Sequence, residues 1–126
     1  MPNRHILIID DEEDIREVAQ ASLELVAGWK ITTAKSGIEG LEKAVSEKPE
    51  AILLDLMMPD MDGMMTIGKL RNQPATQHIP VIFMTAKVQV SDRERLTKAG
   101  AMAVIAKPFD PLKLHHQVSD ALGWPR

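Results

Sequence analysis

Cysteine and tyrosine are both absent from this chain of 126 residues. Without a thiol there is no disulfide framework, no thiolate zinc site and no cysteine nucleophile. Aromatic rings are scarce, two tryptophans and two phenylalanines, so Trp29 and Trp124 are read as packing or surface anchors and not as a cofactor box. An excess of charge is lacking too. The 15 basic and 18 acidic residues leave a net charge of −3, so no bulk attraction to nucleic acid or to an anionic membrane is expected. Long apolar runs are missing: the stretch from His5 to Ile9 meets Asp10-Asp11-Glu12-Glu13-Asp14, too early for a secretory h-region. Other runs fall far short of the ~20 residues that span a bilayer. The chain is therefore expected to be cytoplasmic, with no membrane insertion. Neither GxxxxGK[ST] nor GxGxxG occurs, which disfavours P-loop and Rossmann nucleotide binding.

What is present is ordinary for a globular protein: 44% hydrophobic and 26% charged residues, which argues against disorder or fibre. The length fits one domain over residues 1–126. Surface scaling gives about 6,700 Å² exposed when folded against about 20,000 Å² unfolded, enough burial for an ordinary core.

Five strand-sized aliphatic runs recur: Ile6-Leu7-Ile8-Ile9, Trp29-Lys30-Ile31-Thr32-Thr33-Ala34, Ala51-Ile52-Leu53-Leu54, Val81-Ile82-Phe83-Met84 and Ala103-Val104-Ile105. The first, third and fourth are apolar throughout, as central parallel strands covered on both faces require. The second is more polar and the fifth is short, which suits sheet edges. Helical periodicity fills the gaps. Ile15, Val18, Ala19, Leu23 and Val26 lie along one face, Ile38, Leu41 and Val45 form a second stripe, and Ile67 with Leu70 a weaker one after Asp62-Gly63. Around residues 93–99 only Leu96 and Ala99 are apolar, and Leu114, Val118, Ala121 and Leu122 form a last stripe before Gly123 and Pro125. Strands alternating with helices imply right-handed crossovers and a parallel sheet with helices on both faces. Ligands of such folds bind beyond the carboxyl ends of the strands.

At those ends stand Asp10-Asp11 after the first strand, Asp55 after the third, Thr85 after the fourth and Lys107-Pro108 after the fifth. Any one of these residues fits an ordinary strand-end turn; their convergence does not. Three carboxylates within a few ångströms repel and raise each other's pKa. A divalent cation resolves this, because Mg2+ together with Lys107 brings three acids to neutrality, and hard oxygen ligands suit an octahedral ion that keeps several waters. A carboxylate oxygen of Asp55, on the central strand, is placed to attack an incoming phosphoryl group as a covalent nucleophile. Neutralisation of phosphoryl oxygens would come from Mg2+, Lys107 and nearby N–H groups, with the Thr85 hydroxyl as a movable donor.

The combination Ile8-Ile9-Asp10-Asp11-Glu12, then Asp55-Leu56-Met57-Met58-Pro59-Asp60-Met61-Asp62-Gly63, then Met84-Thr85-Ala86, then Lys107-Pro108-Phe109 resembles the receiver domain of two-component response regulators. The likeness covers residues 4–122. It implies a flavodoxin-like (βα)5 α/β fold, a doubly wound parallel sheet with strand order 2-1-3-4-5, and Asp55 as the phosphoacceptor. It further implies that Asp11 ligates Mg2+ directly, Asp10 through water, and that the Met57 carbonyl completes the protein ligands. Lys107 would contact the phosphoryl group, Lys107-Pro108 would be cis, which only X–Pro bonds adopt cheaply, and small Ala86 would leave the pocket open. The implied function is a phosphorylation switch: a phosphoryl group passes from a phosphohistidine on a sensor histidine kinase or a histidine phosphotransfer protein to Asp55, is slowly hydrolysed there, and alters partner binding. With nothing after Leu122 to act as an output domain, such a chain signals by binding or passes phosphate along a relay, unless it is part of a longer protein.

One position departs from the family pattern. Three residues before the lysine many receivers carry Tyr or Phe, whose ring turns inward as the Thr hydroxyl moves; here stands Val104, stiff at its one χ angle. Thr85, Ala86, Val104 and Pro108 are thus the switch residues, with a smaller rearrangement expected and partner selection resting more on the acceptor loop and on residues 86–90. Five of the eight methionines fall within residues 57–65; they are read as gap-fillers under that loop, or as an adaptable docking surface. His115 and His116 point about 100° apart on a helix and do not converge on a metal; they are read as surface residues. His5 and His78 have no partner histidine at ligand spacing, and Asp14 is a candidate helix N-cap. Rival readings are a Mg2+-dependent phosphatase or phosphotransferase with an Asp nucleophile, a flavodoxin-like FMN module, and a receiver that binds partners without phosphorylation.

Overall fold

In a computed structural model that describes residues 4–86 and 90–125, five strands alternate with five helices. The strands are β1 (His5–Ile9), β2 (Lys30–Ala34), β3 (Ala51–Asp55), β4 (Val81–Thr85) and β5 (Ala103–Ala106). Between and after them run α1 (Glu13–Ala27), α2 (Gly37–Glu47), α3 (Gly63–Arg71), α4 (Val90–Lys98) and α5 (Leu114–Leu122). All strand pairs are parallel, in the order β2-β1-β3-β4-β5. Apolar β1, β3 and β4 are central, and β2 and β5 form the edges. The folded chain exposes 6882 Å², close to the area expected from its size.

Because side chains alternate across a strand, the continuous apolar runs divide into two cores. Leu7, Ile9, Ile52, Leu54, Val81 and Phe83 meet Ala44 of α2, Ile67 and Leu70 of α3 and Leu96 of α4. On the other face Ile6, Ile8, Leu53, Ile82, Met84 and Ile105 meet Ala19 and Leu23 of α1 and Leu114 and Val118 of α5. The register sets Ile9 beside Ala34 and Leu54, Asp55 beside Met84, and Thr85 beside Ala106. The residues that follow the strands therefore share one edge.

Several sequence expectations are corrected in detail. The inward face of α2 is Gly37, Gly40 and Ala44, while Ile38 and Val45 are exposed. The helix lies so close to the sheet that a Cβ at Gly40 would sit 2.4 Å from Ile9 Cδ1; small residues make the closest contact, and of the aliphatic stripe only Leu41 packs against the core. On α1 the buried residues are Ala19, Ser22 and Leu23, with Val18 and Val26 turned outward; Ala19 and Leu23 pack on the sheet, and the Ser22 hydroxyl donates to the Pro111 carbonyl in the loop before α5. Asp14 lies in the first turn of α1 and the N-cap is Glu12. His115 and His116 are half-buried, their rings 4.0 Å apart, and not fully on the surface. Trp29 precedes β2 and packs edge-on against Trp124 at 5.5 Å, with the Arg4 guanidinium 4.3 Å over the Trp124 ring. Both tryptophans thus anchor the amino-terminal edge of the sheet, opposite the acids.

Candidate functional site

Asp10 leaves β1 fully buried, and every polar atom of it is engaged. Its N–H donates to the Ala34 carbonyl, its carbonyl accepts from Arg16, Oδ1 accepts from the Glu12 N–H at 2.9 Å, and Oδ2 accepts from Lys107 Nζ at 2.8 Å. Lys107 follows β5 and is joined to Pro108 by the cis bond that the family resemblance implied, and its N–H donates to the Thr85 carbonyl. Its ammonium also reaches Asp55 Oδ1 at 3.1 Å and Glu12 Oε1 at 3.8 Å. Asp55 closes β3 almost wholly buried. Its Oδ1 accepts from Lys107 and, at 3.4 Å, from the Met57 N–H, whereas buried Oδ2 has no hydrogen-bond partner.

That oxygen is the sharpest feature of the site, since an unpaired buried acceptor costs about 1–3 kcal/mol and more when charged. Burial, the charge of Asp10 and a contact with Asp11 push the Asp55 carboxyl up to about 7, against the pull of Lys107. Lys107 is held above the ordinary lysine value: burial alone would lower it, but the hydrogen bonds and charges of Asp10 and Asp55 outweigh that. Carboxylate oxygens of Asp10, Asp11, Glu12 and Asp55 lie within 4.8 Å of one another. An all-oxygen set of this kind, with one oxygen left unpaired, fits a small hard divalent cation.

The site opens through a cleft of about 150 Å³ lined by Glu12, Asp55, Met57, Thr85, Ala86 and Lys107. Exposed Ala86 leaves one wall low, and Met57 is mostly solvent-facing. Thr85 is buried beside the cleft. Asp10, Asp11, Asp55, Met57, Thr85, Ala86 and Lys107 are thus brought to one place, as the strand-end rule required. Val104 is not part of the cleft; it is half-buried against the core that contains Phe83 and Leu96. Residues 87–89, part of the segment expected to contribute to partner choice, lie outside the described residues. Glu12 belongs to the sequence pattern that marks the site, but nothing in that pattern assigns it a role. The signal was a third consecutive acid after the strand.

Residues 6–119 match the response regulator receiver domain. The chain belongs to that family. Relatives include the alkaline phosphatase synthesis transcriptional regulatory protein PhoP of Bacillus subtilis, 38% identical over 95% of this chain and 49% of its own length. Response regulator Rre1 of Synechocystis is 35% identical over 94% of this chain and 51% of its own. The receiver described here spans about half the length of those curated relatives. Among solved structures, the chemotaxis response regulator CheY4 of Vibrio cholerae superposes with a TM-score of 0.89 at 27% identity, covering 95% of this chain and 99% of that one. The receiver domain of sensor histidine kinase PA1611 from Pseudomonas aeruginosa, solved with a magnesium ion coordinated in its active site cleft, gives 0.84 at 29% identity, covering 97% and 99%. The five-stranded fold, the strand order and the acidic cleft of this receiver accord with those likenesses, and no helix among the described residues is long and apolar enough to cross a membrane.

Proposed function

We propose that this receiver is the phosphoacceptor of a two-component phosphorelay, with Asp55 as the acceptor. The observation that carries the reading is Asp55: its Oδ2 is buried and unpaired, and the residue lines a cleft next to a cation-ready acid cluster. A carboxylate oxygen of Asp55 forms a bond to phosphorus as the P–N bond to a donor imidazole breaks, and the imidazole leaves with that electron pair and takes up a proton. The donor is a phosphohistidine on a sensor histidine kinase or a histidine phosphotransfer protein. Slow attack of water on the acyl phosphate returns Asp55 and inorganic phosphate.

Asp11, Asp55 and the Met57 carbonyl would hold Mg2+ directly. Asp10, its two oxygens already bonded to Glu12 N–H and Lys107, would act through water and chiefly position the lysine. When bound, Mg2+ supplies charge neutralisation for the phosphoryl oxygens. Lys107 offers a second cation at the other side of Asp55, and the Thr85 hydroxyl a movable donor. With Val104 in place of an aromatic ring, the switch rests on Thr85, Ala86 and Pro108 with a small apolar displacement at position 104. Incubation with Mg2+ and acetyl phosphate tests the reading: intact mass should rise by one phosphoryl group, and no adduct under any Mg2+ concentration would sink it.

Mg2+ binding is expected to strengthen with pH. Below about pH 7 the cation competes with a proton on Asp55, so affinity should rise about tenfold per unit between about pH 5 and 7 and level off above. Calorimetric titration across that range would show it; a flat profile would remove Asp55 from the cation site.

Lys107→Ala is expected to keep cooperative unfolding but to slow labelling by acetyl phosphate about 10²-fold, the usual cost of losing one preorganised donor to developing phosphoryl charge. Mg2+ should bind several-fold tighter, because the competing ammonium at 3.1 Å from Asp55 is gone. Loss of cooperative unfolding would instead mark Lys107 as a structural residue.

A further inference from the structure

The reaction just described uses three acids, and the cleft holds a fourth. Glu12 occupies the N-cap of α1 with extended backbone, φ −86° and ψ 114°, yet its side chain makes no capping hydrogen bond. Its main chain is fixed from both sides: the N–H donates to Asp10 Oδ1 at 2.9 Å and the carbonyl accepts from the Arg16 N–H at 3.1 Å. Only the side chain is left to respond to the site. The carboxylate lines the cleft, 61% exposed, with Oε1 3.8 Å from Lys107 Nζ, and belongs to the same 4.8 Å group as Asp10, Asp11 and Asp55. Besides that clustering, Asp55, which lines the same cleft, holds Oδ2 buried and without a hydrogen-bond partner on a side chain only 4% exposed.

A divalent cation and Lys107 neutralise three carboxylates; with Glu12 counted, the loaded site keeps one negative charge at its mouth. That charge has two effects of opposite sign. It attracts the cation, and it repels a phosphoryl donor that arrives with two negative charges of its own. Exposure keeps both effects modest and makes them sensitive to salt. Resting on the phosphoacceptor reading, we propose that Glu12 is a specificity-determining residue of this receiver: it strengthens cation binding at the acid cluster and slows phosphoryl transfer from small dianionic donors, which favours donors presented on a protein surface that can offset the charge. In the reaction with acetyl phosphate the Asp55 oxygen bonds to phosphorus while the bond from phosphorus to the acetate oxygen breaks, and acetate departs with the electron pair. Glu12 takes no part in those bonds. It sets the potential through which the donor approaches.

Glu12→Gln keeps the shape and removes the charge, and Glu12→Asp keeps the charge on a shorter stem. Calorimetric Mg2+ titration of the protein alone, near pH 8 where Asp55 is ionised, should show affinity weakened about three- to tenfold in E12Q and within about twofold of wild type in E12D. With Mg2+ saturating, labelling of E12Q by acetyl phosphate should be about three- to tenfold faster than wild type, and both differences should shrink at high salt. Thermal unfolding without Mg2+ should change little in E12Q, since no capping bond is lost and the 3.8 Å ion pair to Lys107 is long and solvent-exposed on the Glu12 side. Equal affinity and equal rate in E12Q and wild type would overturn the inference, as would a fall in both, which would make Glu12 an ordinary support of the site. Wild type that binds Mg2+ but gains no phosphoryl group from acetyl phosphate would overturn the phosphoacceptor reading and this inference with it. A normal wild type beside an unaltered E12Q overturns the inference alone.

Discussion

Asp55→Asn is expected to abolish the phosphoryl adduct formed with acetyl phosphate and Mg2+, and to raise the melting temperature of the metal-free protein above neutral pH. The first outcome follows because an amide oxygen is a poor nucleophile toward phosphorus and the neighbouring acids offer no equivalent: Asp10 is bonded at both oxygens, and Asp11 is an exposed carboxylate in the loop after β1. The second follows from linkage. A carboxyl whose folded value is raised to about 7 from 3.8 contributes stability that is fully present below the unfolded value and is lost as pH rises through the folded one. Above pH 7 the wild-type protein without metal therefore carries a buried charge beside Asp10, which the amide removes. Melts in a chelator at about pH 5 and about pH 8 should differ more in wild type than in Asp55→Asn. Added Mg2+ should stabilise wild type and leave the variant nearly unmoved. An acid-labile adduct in the variant at wild-type stoichiometry would transfer the acceptor role to another carboxylate.

The parts of this fold that the sequence made legible are those governed by a single local rule. Ile6 to Ile9, Ala51 to Leu54 and Val81 to Met84 are apolar at every position and only four residues long, which suits a strand covered on both faces better than a buried helix; they are the central strands. Since ligands sit beyond the carboxyl ends, Asp10, Asp55, Thr85 and Lys107 could be placed together without coordinates. What escaped was set by tertiary packing. Apolar side chains on α2 suggest a face through Ile38, Leu41 and Val45, but Gly37 and Gly40 let the helix approach β1 so closely that the small residues make the closest contact and only Leu41 of the stripe reaches the core. Nothing local marks a glycine as a packing surface. Glu12 escaped for a similar reason. An acid at a helix start is ordinarily a cap, and only the position of its carboxylate beside Lys107 shows that it faces the cleft.

Gly63→Ala is expected to be among the most destabilising single-methyl changes in this protein, and to disturb the proposed acceptor, Asp55, along with the fold. Gly63 opens α3 directly beneath the site, and its N–H donates to the Leu56 carbonyl at 2.9 Å. A Cβ there would lie 2.6 Å from the Asp55 carbonyl oxygen, 2.8 Å from Leu56 Cα and 2.8 Å from Phe83 Cε1. Two of those atoms are backbone at the end of a fully buried central strand, and Phe83 is wholly buried, so no flexible side chain can yield. Overpacking of this kind costs about 3 kcal/mol when the surroundings cannot relax, which for a domain of this size lowers the melting temperature by roughly 10 °C or more. Relief by moving α3 away would shift the Asp55 carbonyl and, with it, the Met57 N–H that donates to Asp55 Oδ1. Labelling by acetyl phosphate should therefore fall even at temperatures where the variant is folded. Gly68, five residues further along the same helix, supplies the control: it is exposed, with no atom within 4 Å of an added Cβ. There the only change is helix propensity, so Gly68→Ala should stabilise the protein by about 0.5–1 kcal/mol and leave labelling unchanged. Equal melting temperatures for the two alanine variants would show that α3 is free to slide, and that the close approach of Gly63 to the acceptor strand is not what fixes the cleft.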